Sequence, residues 1–205
     1  MRIRTIITAA AVPAALAATL LGTAAAASAA PVPGNGNSVV EIITQQDLNN
    51  VTVNGVINKN IDFPANSQVG WLQWTTVNGN VSVEGDLQLS SDSIHGNVTV
   101  SGPGSEMDFN NFASHIYGNL TVNNSTGIYT GAHYNTSLGD WTQYQGMDTT
   151  GVQSQVDGGL SFINSSAIAE NSSGLPLHVL GKFVYSGNVA PYAGGLTIDG
   201  QQFIS

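Results

Sequence analysis

The sequence predicts an all-β chain wound as a parallel β-helix, a solenoid of about seven turns. Three observations carry this. A seven-residue phrase recurs in one orientation, the chain holds 24 glycines, and short period-2 alternations take the place of helical spacing. The phrase reads apolar, any, Gly, Asn, apolar, Thr/Ser, apolar. It stands as Val77–Val83, Ile94–Val100 and Ile116–Val122, with weaker copies at Val156–Phe162 and Val179–Tyr185. A partial copy closes the chain at Tyr192–Ile198, and Val53–Ile57 reads as a first one. The phrase glycines fall at 55, 79, 96, 118, 158, 181 and 194, at intervals of 24, 17, 22, 40, 23 and 13. The interval of 40 reads as two turns with one degenerate copy, and the 13 breaks the register.

The residue types suit stacked turns. Val81 and Val83 point to one side of a strand and Ser82 to the other, because successive strand residues alternate faces. Gly79, Gly96 and Gly118 admit a sharp backbone turn with positive φ. Asn80, Asn97 and Asn119 would fall in one column if the turns stack, each amide bonding locally or to its copy on the next turn. An antiparallel β-sandwich is the alternative, since it also shows many short strands with turn signals. It gives no reason for an Asn after each Gly.

The elements follow in order. Residues 1–29 read as a secretory signal: Arg2 and Arg4, an apolar run from Ile6 to Leu21, and Ala27-Ser28-Ala29 as an A-x-A cleavage site. Residues 30–38 read as a flexible arm. Residues 39–205 read as a single solenoid domain. Within it, Val39–Leu48 forms a strand or short helix closing the first turn, and residues 130–156 depart from the phrase and form an insertion on one side of the rod. Such insertions often carry the binding surface of a repeat protein.

Composition excludes several functions. There are no cysteines, so disulfide scaffolds, thiol chemistry and Cys-ligated zinc are ruled out. Beyond the signal, two lysines face thirteen acids, a net of −11. Two cations cannot neutralise a run of phosphates, which excludes nucleic acid and adhesion to anionic membranes. No second apolar run approaches the ~20 residues of a membrane span. The expected location is extracellular.

The Gly-Asn-Val-Thr-Val phrases resemble those of secreted right-handed parallel β-helix proteins of high-GC Gram-positive bacteria. More loosely, they are similar to bactofilin-type polymer-forming proteins and to solenoid adhesins. The resemblance implies a scaffold and carries no catalytic residue onto this chain.

The motifs of nucleophilic hydrolases, zincins, P-loops and dinucleotide folds do not occur, and no cofactor or metal is expected. Each of the four histidines reads as a lone, structural residue. Trp71 and Trp74 are three apart, so one of them is expected in the core. The best ligand cluster is Trp141, Tyr144 and Tyr134 with His133, Asp140 and Gln143, which combines aromatic surface with hydrogen-bonding groups. Glu84, Asp86, Asp92, Glu106 and Asp108 could be gathered by stacking into a carboxylate pair. The expected function is therefore a secreted non-catalytic scaffold that binds a glycan, a cell-envelope component or a secreted protein. A glycoside hydrolase using paired Asp/Glu is the alternative, and a subunit of a secreted complex is another.

Overall fold

The computed structural model describes residues 38–109, 113–130, 134–135, 140–141, 154–165, 167–170, 177–187, 196–198 and 201–202. It is a parallel β-solenoid with three lateral sheets. The first sheet stacks seven strands: β1 (Val39–Glu41), β3 (Asn60–Phe63), β6 (Val81–Val83), β9 (Val98–Ser101), β12 (Leu120–Asn123), β17 (Leu160–Ile163) and β20 (Phe183–Ser186). The second stacks five: β4 (Trp71–Gln73), β7 (Asp86–Ser90), β10 (Glu106–Phe109), β13 (Gly127–Thr130) and β18 (Ala167–Glu170). The third holds eight: β2 (Val56–Ile57), β5 (Thr76–Val77), β8 (Ser93–Ile94), β11 (His115–Ile116), β16 (Gln155–Val156), β19 (Leu177–Val179), β21 (Leu196–Ile198) and β22 (Gln201–Gln202). Pairing within the stacks is parallel except for β21–β22, an antiparallel hairpin that ends the third sheet.

The inner columns show why these residues make strands. Ile61, Val81, Val98, Leu120 and Leu160 lie in register, as do Phe63, Val83, Val100, Val122 and Phe162. The third sheet adds Ile57, Val77, Ile94, Ile116 and Val156. The second adds Leu87, Met107 and Ile128. All are buried in one core cluster. Each turn thus sends apolar side chains inward from three sides, and burial at roughly 25 cal/mol per Å² of apolar surface drives the stacking.

Between β1 and β2 lies the helix α1 (Gln45–Val51), so Val39–Leu48 forms both a strand and the start of a helix. Thr44 Oγ1 accepts the Asp47 N–H at 3.3 Å while the Thr44 N–H donates to Asp47 Oδ2 at 2.8 Å, a reciprocal capping box. Leu48 anchors the helix in the core.

Register corrects the turn count. Leu120 pairs directly with Leu160, and Ile116 with Val156. The interval of 40 is therefore a single turn with an insertion after β13. Among the described residues five turns contribute a strand to all three sheets, rather than about seven. The first copy of the phrase is also reframed: Ile57 pairs with Val77 and Ile61 with Val81. The true first copy is thus Ile57–Phe63, with Lys59 where later turns have glycine. At the other end Leu196–Ile198 pairs with Leu177–Val179, so this strand belongs to the third sheet and the interval of 13 is a mis-set frame.

The repeat asparagines form the expected column, whereas the repeat glycines do different work from that expected of them. Among the described residues the positive-φ glycines are Gly55, Gly102, Gly104 and Gly127, not Gly79, Gly96 or Gly118. The repeat glycines are required by close approach. A Cβ on Gly96 would sit 2.5 Å from the Gly79 carbonyl carbon, and one on Gly118 2.6 Å from that of Gly96. Beside them the Asn80 N–H donates to Asn60 Oδ1 at 2.8 Å, the Asn97 N–H to Asn80 Oδ1 at 2.8 Å, and the Asn119 N–H to Asn97 Oδ1 at 2.9 Å. The Gly159 N–H donates to Asn119 Oδ1 at 2.8 Å. Each side-chain oxygen satisfies a backbone donor that the turn would otherwise leave unpaired.

Trp71 and Trp74 also depart from expectation. Both are exposed, at 40% and 64%, while Leu72 between them fills the core. Trp71 sits on the outer side of its strand, and Trp74 lies beyond the strand end at a corner with φ 55°.

Candidate functional site

The outer side of the third sheet assembles a site that the linear sequence hides. Ser93, His115, Gln155 and His178 form one outward column by strand register. Two residues further on, at the corner, stand His95, Tyr117 and Asp157. Their N–H groups donate to Val77, Ile94 and Ile116 carbonyls of the preceding turns, at 2.9, 2.8 and 2.9 Å. Three histidines, a tyrosine, a carboxylate and an amide thereby share one surface.

Their contacts are specific. The His115 ring stacks on Tyr117 with centroids 3.8 Å apart and planes 18° from parallel, and His95 meets the same tyrosine at 4.6 Å. His115 Nε2 lies 2.8 Å from Asp157 Oδ1, and Gln155 Nε2 donates to the same oxygen at 2.6 Å. Burial alone would raise the Asp157 carboxyl. The hydrogen bonds from Gln155 and His115, with the charge His115 carries when protonated, take it below the usual carboxylate range. Tyr117 remains 42% exposed. The result is a fixed aromatic surface edged by hydrogen-bonding groups, the composition that suits a polar ligand with an apolar face. A signal for it was present: His95 stands one residue before a phrase glycine, and His115 and His178 three before theirs. Both offsets place a side chain outward.

The second sheet carries the acids. Asp86 and Glu106 are in-register neighbours, and Asp108 is flanked by Gln88 and Tyr129 on adjacent strands. Although their strand positions face outward, Glu106 is 7% and Asp108 1% exposed. Burial, reinforced by the charges of Glu106 and Asp86, pushes the Asp108 carboxyl well above its ordinary value. Burial followed by Glu106 and Asp108 raises the Tyr129 phenol. Neighbouring strands lie about 4.8 Å apart, so stacking does gather three of the sequence's acids. The other two stand apart from them. Glu84 is exposed past the end of its strand. Asp92 sits buried at the corner between the second and third sheets. It accepts the N–H groups of Thr75 at 2.8 Å and Ser90 at 2.7 Å, and burial nevertheless pushes its carboxyl up to about 7.

The cluster expected at the insertion is only partly within view. Tyr134 pairs with Trp141, and Asn135 with Asp140, in the backbone register of a two-stranded antiparallel pair, β14 (Tyr134–Asn135) and β15 (Asp140–Trp141). His133, Gln143 and Tyr144 lie outside the described residues. Among the described residues no group of His, Asp or Glu is arranged to hold a metal ion, and no helix is long and apolar enough to cross a membrane. No family model, curated protein or solved structure matches the chain.

Proposed function

We infer that this chain is a secreted, non-catalytic β-solenoid that binds a component of the cell exterior through its lateral faces. The observation that carries the reading is the His95–Tyr117–His115 stack with Asp157 and Gln155 at its edge. Rigid parallel strands hold this patch, so binding orders little that is not already fixed. The export-type N-terminus supports an extracellular site of action, in keeping with the resemblance to secreted Gram-positive solenoids. The net of −11 beyond residue 29 favours a neutral or cationic ligand. The test is retention of the purified chain, residues 30–205, by insoluble cell-envelope material. Tyr117→Ala should lower retention at least tenfold without changing the melting temperature. Equal retention of both proteins would refute the patch as the binding surface.

A second reading, a glycoside hydrolase, is favoured by one observation. Asp108, whose carboxyl burial pushes well above its ordinary value, stands in the same stack as Glu106 and Asp86, and such hydrolysis needs two carboxyl groups placed in different environments. Release of reducing ends from polysaccharides, abolished in both Glu106→Gln and Asp108→Asn, would establish it.

A further inference from the structure

Beside the asparagine column, on the outer side of the first sheet, runs a shallow groove of about 280 Å³. Its walls are the Asn60, Asn80 and Asn97 amides on one side and the Ser82 and Thr99 hydroxyls on the other, with Val39 at its N-terminal end. We propose that this groove is a binding track for an unbranched, neutral β-linked glycan lying along the rod axis. The proposal rests on the binding-scaffold reading and gives it a second face and a ligand class.

The chemistry follows from what the fold has already used. The oxygens of Asn60, Asn80 and Asn97 each accept an N–H of the next turn. What these amides have left to offer is their Nδ2 donors. Ser82 and Thr99 are in register on the outward side of β6 and β9, and each hydroxyl can donate and accept. One donor and one hydroxyl therefore recur on the rungs of Asn80 and Asn97, about 4.8 Å apart, close to the length of one β-linked pyranose unit, and Asn60 adds a further donor on the rung before them. Successive units of a straight β-1,4 chain are flipped about its axis, so hydroxyls from alternate ring edges meet successive rungs without bending.

Other ligand classes fit less well. An extended peptide is recognised through free backbone groups at a sheet edge. Here the groove lies across a sheet face, where the strands spend those groups on one another. A polyanion would meet Glu41 and Asp62, which continue the Ser82–Thr99 column toward the N-terminal end. Val39, 60% exposed, offers an apolar surface on which a sugar ring can rest.

The test uses residues 30–205 with cellotetraose and chitotetraose as probes in calorimetry, and polygalacturonate as the anionic control. Asn80→Asp keeps the Oδ1 acceptor of the column and removes the Nδ2 donor. Thr99→Val keeps the side-chain shape and removes the hydroxyl. The expected result is binding of at least one neutral tetrasaccharide and none of the polyuronate. Each variant should weaken that binding about tenfold at an unchanged melting temperature. If Asn80→Asp does not fold, Thr99→Val decides alone. Binding unchanged by both substitutions, or no binding of either tetrasaccharide, overturns the groove. If envelope retention persists and still depends on Tyr117, the scaffold reading survives that failure. If retention is also absent, both readings fall.

Discussion

Gly96→Ala adds one methyl group where successive turns approach too closely for any side chain. Its carbon would sit 2.5 Å from the Gly79 carbonyl carbon and 2.7 Å from Asn80 Oδ1. Ordinary carbon contacts lie near 3.5–4.0 Å, so the two turns must separate by about 1 Å at this corner. Three bonds span it: His95 N–H to the Val77 carbonyl at 2.9 Å, Val81 N–H to the Asn97 carbonyl at 2.9 Å, and Asn97 N–H to Asn80 Oδ1 at 2.8 Å. Losing them costs about 3 kcal/mol at roughly 1 kcal/mol each. Overpacking strain adds about 1–3 kcal/mol, and the stiffer unfolded chain returns under about 1 kcal/mol. The net destabilisation is about 3–5 kcal/mol, or roughly 10 °C in Tm for a chain of this size. Gly104→Ala is the control: φ is +86° but nothing lies within 4 Å of the added carbon. It should cost only the left-handed penalty of about 1–2 kcal/mol. Thermal unfolding followed by circular dichroism reads both. Equal losses for the two variants would refute the claim that backbone approach dictates the repeat glycines.

Acidification should stabilise the fold. A carboxyl whose folded pKa lies above its unfolded value binds its proton more tightly in the fold, so its penalty is full above the folded pKa and is relieved as pH falls toward the unfolded one. For Asp92, from 3.8 to about 7, that is about 4 kcal/mol between pH 8 and pH 4, with Asp108 acting in the same direction. Tm should therefore be higher at pH 5 than at pH 8, and a flat or opposite profile counts against buried acids. Asn97→Ala removes the acceptor of the Asn119 N–H and should lower stability by about 1 kcal/mol, a Tm change of about 3 °C; no change would make the column dispensable. Trp141→Ala should weaken envelope binding with little change in Tm, and a large loss of stability with binding intact would make Trp141 a packing residue.

The solenoid class was legible because its signal is local and repeated. Val81-Ser82-Val83 and its copies announce both the strand and its inward face. The number of turns was not legible, since residues at a corner lengthen the chain without adding a strand to any sheet; the 40 residues from Leu120 to Leu160 count as one turn only once the pairing is known. Lys59 in a glycine position hid the first copy. One of Trp71 and Trp74 read as core because residues three apart on a strand point to opposite faces, but the strand ends at Gln73 before Trp74, and Leu72 fills the core place. The histidine–tyrosine patch and the stacked acids depend on which residues of successive turns stand side by side. That follows from register, and the offsets of His95, His115 and His178 from the phrase glycines already encoded it.

The insertion between β13 and β16 shows how freely such a chain can vary. Before and after it, Ile116 meets Val156 and Leu120 meets Leu160 with their alignment intact. The ends of any loop at this corner are fixed by the two turns it joins, and the entropy of closing a loop grows only by about 0.6 kcal/mol for each doubling of its length. Segments of different size and composition can therefore be exchanged at this position, by evolution or by grafting, while the rungs on either side remain as they are.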